Sequence, residues 1–224
     1  MKKFLSVMLI AVIAVSSVFA MSGYIGASSG YGFHFEGKDE VKNTNTYFPV
    51  SVDGATFFGK NNFQFGLSYG AEIIQLPFQS NGPAGTKYDL KPLENYRWTL
   101  APYAGLGFQY KFSKSVGIAG SVNATYNWGS VKDDTSKYIP SYIGELMSKL
   151  DPNADVKYHI LGMMGNLYLN MNLGPVSIRL GGYMEGPIGL WAKGQALGFE
   201  KTSDMQNIMG PFNVVPFAGI GFAY

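Results

Sequence analysis

The chain has only two arginines, Arg97 and Arg179, and the side chains that can partner them are few. Asp53, Glu72 and Glu185 are the acids that share their setting, each inside a stretch of alternating apolar residues. A guanidinium binds a carboxylate through two parallel hydrogen bonds, so Arg and acid together in an apolar stretch point to a buried ion-pair cluster. Such a cluster either holds a structure shut or acts as a charged gate, and both readings stay open here. The two histidines, His34 beside Glu36 and His159, are the remaining candidates for acid–base work. No serine occurs between His159 and Gly174, so a His-activated nucleophile would have to come from another segment. Cysteine is absent, the histidines are not at metal-ligand spacing, and no carboxylate–glycine calcium loop occurs. The expectation is therefore no metal, no cofactor and no enzyme.

The elements that position these residues repeat with period two. From Ile208 to Tyr224 one parity reads Ile208, Gly210, Phe212, Val214, Pro216, Ala218, Ile220, Phe222, Tyr224, one apolar face of a long strand. Seven earlier segments behave alike. Their apolar parities run through Ile25–Phe35, Phe48–Phe58, Phe63–Ile73, Trp98–Tyr110, Val116–Trp128, Leu161–Leu173 and Val176–Met184. About ten residues per strand is the length that crosses a bilayer at a tilt. The connections alternate: Gly59–Asn62, Lys111–Ser115 and Asn172–Pro175 are tight turns. Gly37–Thr46, Gln75–Tyr96, Gly129–Asp155 and Gly186–Asn207 are long.

Asp53, Glu72, Arg97, Arg179 and Glu185 all occupy the parity opposite the apolar one, so no strand charge points at lipid, where Arg or Lys costs ~2–4 kcal/mol near the midplane. A soluble sandwich would produce the same alternation. Two features favour the membrane. The polar parity is small and uncharged, as in Gly117, Ala119, Ser121, Asn123 and Thr125, which suits a narrow barrel interior. Aromatics gather at the strand ends, with Phe35, Phe48, Trp98, Tyr126 and Trp128 at the loop side and Phe58, Phe63, Phe108, Tyr110, Phe222 and Tyr224 at the turn side, as two interfacial girdles. The fold expected is all-β: an eight-stranded antiparallel up-and-down transmembrane β-barrel. A short helix is expected in one external loop, where Ile143, Leu146, Met147 and Leu150 fall at helical spacing between Pro140 and Asp151-Pro152. Pro102 and Pro216 lie inside strands, and bulges are expected there.

Residues 1–20 carry Lys2 and Lys3, an apolar run Phe4–Val15 and a small-residue exit to Ala20, which reads as a cleaved export signal before a single domain over 21–224. Cleavage leaves equal numbers of basic and acidic side chains, so the polybasic footprint of a nucleic-acid binder is absent.

The closing strand, with Phe212, Val214, Ala218, Ile220, Phe222 and the terminal Tyr224, resembles the C-terminal strand of bacterial outer-membrane proteins. The mature chain looks like the small OmpA, OmpX and OmpW barrels. That resemblance implies an integral outer-membrane location with both termini periplasmic, surrounding lipid as a partner, and Phe222 and Tyr224 as the signal read by the barrel-assembly machinery. It implies a structural or surface-interaction role through the external loops, whose partner the sequence does not name. The alternative is a narrow OmpW-like, porin-like channel for small, possibly hydrophobic solutes, with Phe57, Ile74, Met164, Val215 and Phe217 as apolar lining. A lipid-modifying enzyme comes third: lipid A deacylases are small barrels that use an outward His and Ser, and His159 lies on the lipid-facing parity.

Overall fold

The computed structural model of the chain describes residues 21–35, 44–81, 87–89, 97–130, 155–196, 199–202, 206–207 and 212–224. The export segment and the helix expected over 143–150 lie outside the described residues. Eight long strands arise where the period-two pattern predicts them. The first is β1 (Met21–Gly30), continued by β2 (Gly32–Phe35). The others are β3 (Thr44–Phe58), β4 (Phe63–Asn81), β6 (Arg97–Lys111), β7 (Val116–Ser130), β8 (Asp155–Leu173), β9 (Val176–Ala196) and β12 (Phe212–Ala223). Three short pieces, β5 (Lys87–Asp89), β10 (Phe199–Thr202) and β11 (Gln206–Asn207), extend the hairpins at the loop end by pairing with β4 and β9. Several strands run further into the predicted loops than expected, β4 to Asn81 and β9 to Ala196.

Each strand pairs antiparallel with its chain neighbours, and β12 pairs with both β9 and β1, which closes the ring. The stagger can be followed residue by residue. Tyr31 donates its amide to Pro216, and Pro216 pairs with Gly182, then Leu167, Gly120, Phe108, Phe65 and Phe58. Phe58 returns to the first strand at Met21, ten residues before Tyr31. Eight strands with that shear enclose an interior just wide enough for side chains to fill. At the turn end, Gly59 (φ 115°) and Gly174 (φ 64°) supply the left-handed backbone that the tight connections need.

The two faces have the polarity of a membrane barrel. Outside, Leu106 is 72 % exposed, Phe222 70 % and Phe65 67 %. Inside, Arg179 and Ser177 are fully buried, with Glu72, Asn123 and Asn213 nearly so. A water-soluble sheet places its polar face outward, and this chain does the reverse.

Two expectations need correction, and a third is met a residue away. The expected bulge at Pro216 does not form, because β12 keeps one register with β1 and β2 throughout. The ladder instead breaks at Tyr31, which donates to the Pro216 carbonyl but can receive nothing back, since proline has no N–H. At Pro102 the pairing with β4 stays in register, while the pairing with β7 stops one residue away at Tyr103. One residue beyond Pro102 the β4–β6 register does shift, with Glu72 and Ile74 standing opposite Ala101 and Trp98, so an irregularity falls beside that proline. Against β3, β4 carries an extra residue between Glu72 and Ile74. That extra residue reverses the alternation, so Gln75 is buried inside, and Ile74 pairs with the outward Val50 rather than lining the lumen.

Replacing Leu106 with Arg is expected to lower folding stability in lipid vesicles by about 2–4 kcal/mol. Urea unfolding of the reconstituted protein measures it. A loss below about 1 kcal/mol would mean this face does not meet lipid.

Candidate functional site

The interior is built in layers, each from several strands. At the turn end a chain of polar groups spans the mouth. Lys111 Nζ donates to Ser22 Oγ (2.9 Å), Ser22 donates to Gln64 Oε1 (3.0 Å), and Gln64 Nε2 donates to the Gly59 carbonyl (2.5 Å). Above it, Tyr24, Ala55, Phe57, Ala119 and Tyr168 form a buried cluster against which Phe217 packs. The Tyr24 and Tyr168 rings meet edge to face at 6.0 Å, and Tyr24 donates its hydroxyl to that of Tyr168 at 3.0 Å.

Arg179 lies against this aromatic layer. Its guanidinium sits 4.0 Å from the centre of the Tyr24 ring and grips Asp53 with two nitrogens, Nη1 to Oδ2 and Nη2 to Oδ1, the latter at 3.0 Å. Nη2 also donates to the Ala27 carbonyl at 3.2 Å. A fully buried arginine is tolerable only because the carboxylate, the carbonyl and the ring face replace its water.

The larger inward groups find room because their cross-strand partners are glycines. Arg179 faces Gly219, Tyr168 faces Gly181, Tyr103 faces Gly70, and Tyr47 faces Gly32. A Cβ on Gly219 would stand 2.7 Å from the Arg179 guanidinium. Glycine here is a spatial requirement.

On the other side of the ion pair a small chamber remains, lined by Ser51, Asp53, Glu72, Tyr103, Met164 and Glu185 among others. The centre of a water molecule can move through only about 20 Å³ of it, enough for a water or two. Glu72 is held by Gln75 (2.7 Å) and by the Tyr183 hydroxyl (3.4 Å). Further out, His34 Nδ1 and Asn213 Oδ1 are 2.6 Å apart, and Asn213 also pairs in register with Glu185.

Of the five lumen residues marked in the sequence, Asp53 and Arg179 are thus brought together. Glu72 and Glu185 share the chamber. Arg97 stands opposite the buried Gln75 in the register, at the outer rim, and its side chain lies outside the described residues. Of the apolar lining expected for a channel, Met164 and Phe217 border the chamber, Phe57 and Val215 are fully buried, and Ile74 is turned away. The inward Tyr24, Tyr47, Tyr103 and Tyr168 escaped sequence reading. Their signal was present as tyrosine on the polar parity, but which glycine each one faces is a matter of register.

His159 faces outward as predicted, its Nδ1 2.6 Å from the Tyr126 hydroxyl and its ring stacked on Trp191 at 5.3 Å. Phe222 is strongly exposed, and Tyr224 packs by its hydroxyl against Thr56 at 2.6 Å. Among the described residues no cluster of three metal-ligating side chains occurs.

Asp53→Ala leaves Arg179 buried without its anion and is expected to cost about 3–5 kcal/mol. The double variant Asp53→Leu with Arg179→Met, which removes both charges at similar volume, should recover most of that. Denaturant titrations of the three proteins in vesicles decide it, and a double variant no better than the single would rule out charge as the cause.

No protein-family model matches the chain. No curated protein matches it either. Several solved structures are similar to it. One is a major outer membrane protein from Thermus thermophilus, at 11 % identity and a TM-score of 0.40 over 92 % of this chain and all of that one. Another is Ail, the attachment invasion locus protein of Yersinia pestis, at 8 % identity and 0.40 with the same coverage. A third is the toluene transporter TodX of P. putida, at 11 % identity and 0.30 over 92 % of this chain and 59 % of that one. At these identities the likeness concerns fold alone, and what establishes the fold here is the closed register and the outward apolar surface. The chain is a small eight-stranded transmembrane β-barrel, the architecture of the small outer-membrane proteins.

Proposed function

We propose that this protein is an integral outer-membrane barrel with a closed lumen, serving a structural or surface-interaction role through the long connections at its outer end. Both termini then face the periplasm, together with the three short turns. The observation that carries this reading is the filled cross-section: the Tyr24–Tyr168 layer, the Arg179–Asp53 pair, and a chamber with room for a water or two. A solute path needs a continuous opening, and this interior is packed through its middle. The ion-pair cluster is accordingly a plug. With no catalytic pairing drawn from His159, whose Nδ1 is taken up by Tyr126, the enzyme reading gains no support.

A second reading, a narrow path for small solutes, is favoured by one feature. The β6–β7 ladder ends at Tyr103 and Thr125, although β6 runs on to Arg97 and β7 to Ser130. Thr99 and Asn127, one on each side of this unpaired seam, bury polar atoms that have no partner among the described residues. The chamber reaches the foot of the seam at Ala101, Tyr103 and Thr125.

Single-channel recording of the mature protein in planar bilayers separates the two. The closed-lumen reading expects no discrete openings in the wild type, and small openings after Arg179→Ala with Asp53→Ala. Discrete wild-type openings would overturn it in favour of the path.

A further inference from the structure

Charge is divided unequally between the two ends of the barrel, and neither the plug nor the seam uses that division. No Asp or Glu occurs in 21–35, 54–71, 95–132, 156–184 or 205–224, stretches that together hold the turn end of every strand. The turns themselves carry three cations, Lys60 between β3 and β4, and Lys111 and Lys114 between β6 and β7. Lys111 reaches into the mouth, where its partner Ser22 is neutral. Lys60 and Lys114 are exposed. Because β4 and β6 are neighbours in the ring, the two turns stand side by side, joined by the Lys111 amide, which donates to the Asn62 carbonyl at 2.8 Å. The carboxylate that closes the chain at Tyr224 follows β12, four strands round the ring from β6.

Between the two lysines the outer surface of β4 and β6 is aromatic. Phe63 lies opposite Tyr110 and Phe65 opposite Phe108, and all four are exposed. Phe63 meets Phe65 edge to face at 4.9 Å, and Tyr110 meets the exposed Phe112, at the start of its turn, at 5.5 Å. Rings of this kind settle at the boundary between acyl chains and headgroups. Lys114 is two residues past Phe112 and Lys60 two past the outward Phe58, at most about 7 Å of chain, which puts both ammonium groups at the level of the lipid phosphates. We propose that Lys60 and Lys114 form a binding site for the phosphate of an anionic phospholipid in the leaflet at the turn end, its acyl chains lying along the Phe63–Phe65 and Tyr110–Phe108 ridge. Two cations on adjacent turns free of acidic side chains attract an anion together, and a phospholipid is the anion that also covers the rings. The site rests on the membrane placement proposed above, in which this leaflet is the periplasmic one.

All three tryptophans of the chain, Trp98, Trp128 and Trp191, lie at the loop end, so a tryptophan placed at the turn end becomes a local reporter once they are replaced. The mature protein carrying Phe112→Trp with Trp98→Phe, Trp128→Phe and Trp191→Phe is reconstituted in phosphatidylcholine. Quenching by brominated phosphatidylglycerol is then compared with quenching by brominated phosphatidylcholine. Each lysine near an anionic surface contributes about fivefold, so phosphatidylglycerol is expected to win by about 10- to 30-fold at low salt. Lys60→Gln with Lys114→Gln should bring that preference close to one, while Lys60→Arg with Lys114→Arg retains it. Lys157→Gln, at the loop end, should leave it unchanged. Native mass spectrometry of the protein without the reporter should likewise find phosphatidylglycerol retained, and lost in the double glutamine variant. An undiminished preference in that variant, or equal quenching by the two lipids in the parent, would overturn the site alone. No quenching by either lipid would overturn the membrane placement and the site with it. Binding to purified peptidoglycan that the double glutamine variant loses, with no lipid preference in the parent, would assign the lysines to the cell wall instead.

Discussion

A backbone that crosses hydrocarbon has no water to bond, so every amide and carbonyl must be paired within the protein. The rest of this structure follows from that constraint. A sheet meets it only by closing on itself, and here closure is achieved by β12, which pairs with β9 on one side and with β1 and β2 on the other. Eight strands at a shear of ten residues give a ring too narrow for a wide aqueous channel and too wide to be left empty. Filling the interior is therefore a packing problem, and the chain solves it with tyrosines and one arginine set against cross-strand glycines.

The same constraint explains where the structure departs from regularity. Proline removes a ladder donor, and in a closed ring of paired strands the loss must appear somewhere. At Pro216 it appears as a one-residue break opposite Tyr31, with the register preserved on both sides. At Pro102 it coincides with the end of the β6–β7 ladder. The difference is one of surroundings. Pro216 sits mid-strand with pairs above and below, whereas Pro102 lies beside the β4 bulge, where β6 is already shifting its register.

The Arg179–Asp53 pair does two things in one place. It pairs two buried charges of the lumen, and it locks β9 to β3, strands that are not neighbours in the ring. Such a brace across the interior resists ovalling in a way that ladder bonds between adjacent strands do not. The polar chain from Lys111 through Ser22 and Gln64 to Gly59 ties the turn-end mouth similarly.

The strand count, the apolar outer parity, the alternation of turns and long connections and the two aromatic girdles were all legible in the sequence. Each is a local pattern of period two, and the bilayer imposes that pattern directly on neighbouring residues. Which inward residues meet was not legible. Asp53 and Arg179 lie 126 positions apart, and only the stagger around the closed ring brings them together. The bulge before Ile74 reversed one stretch of parity, because a single inserted residue exchanges the two faces without altering the composition that signals a strand. The sequence by itself thus determined the barrel and the polarity of its faces. The Arg179–Asp53 pairing and the seam were decided by register, which depends on all eight strands at once.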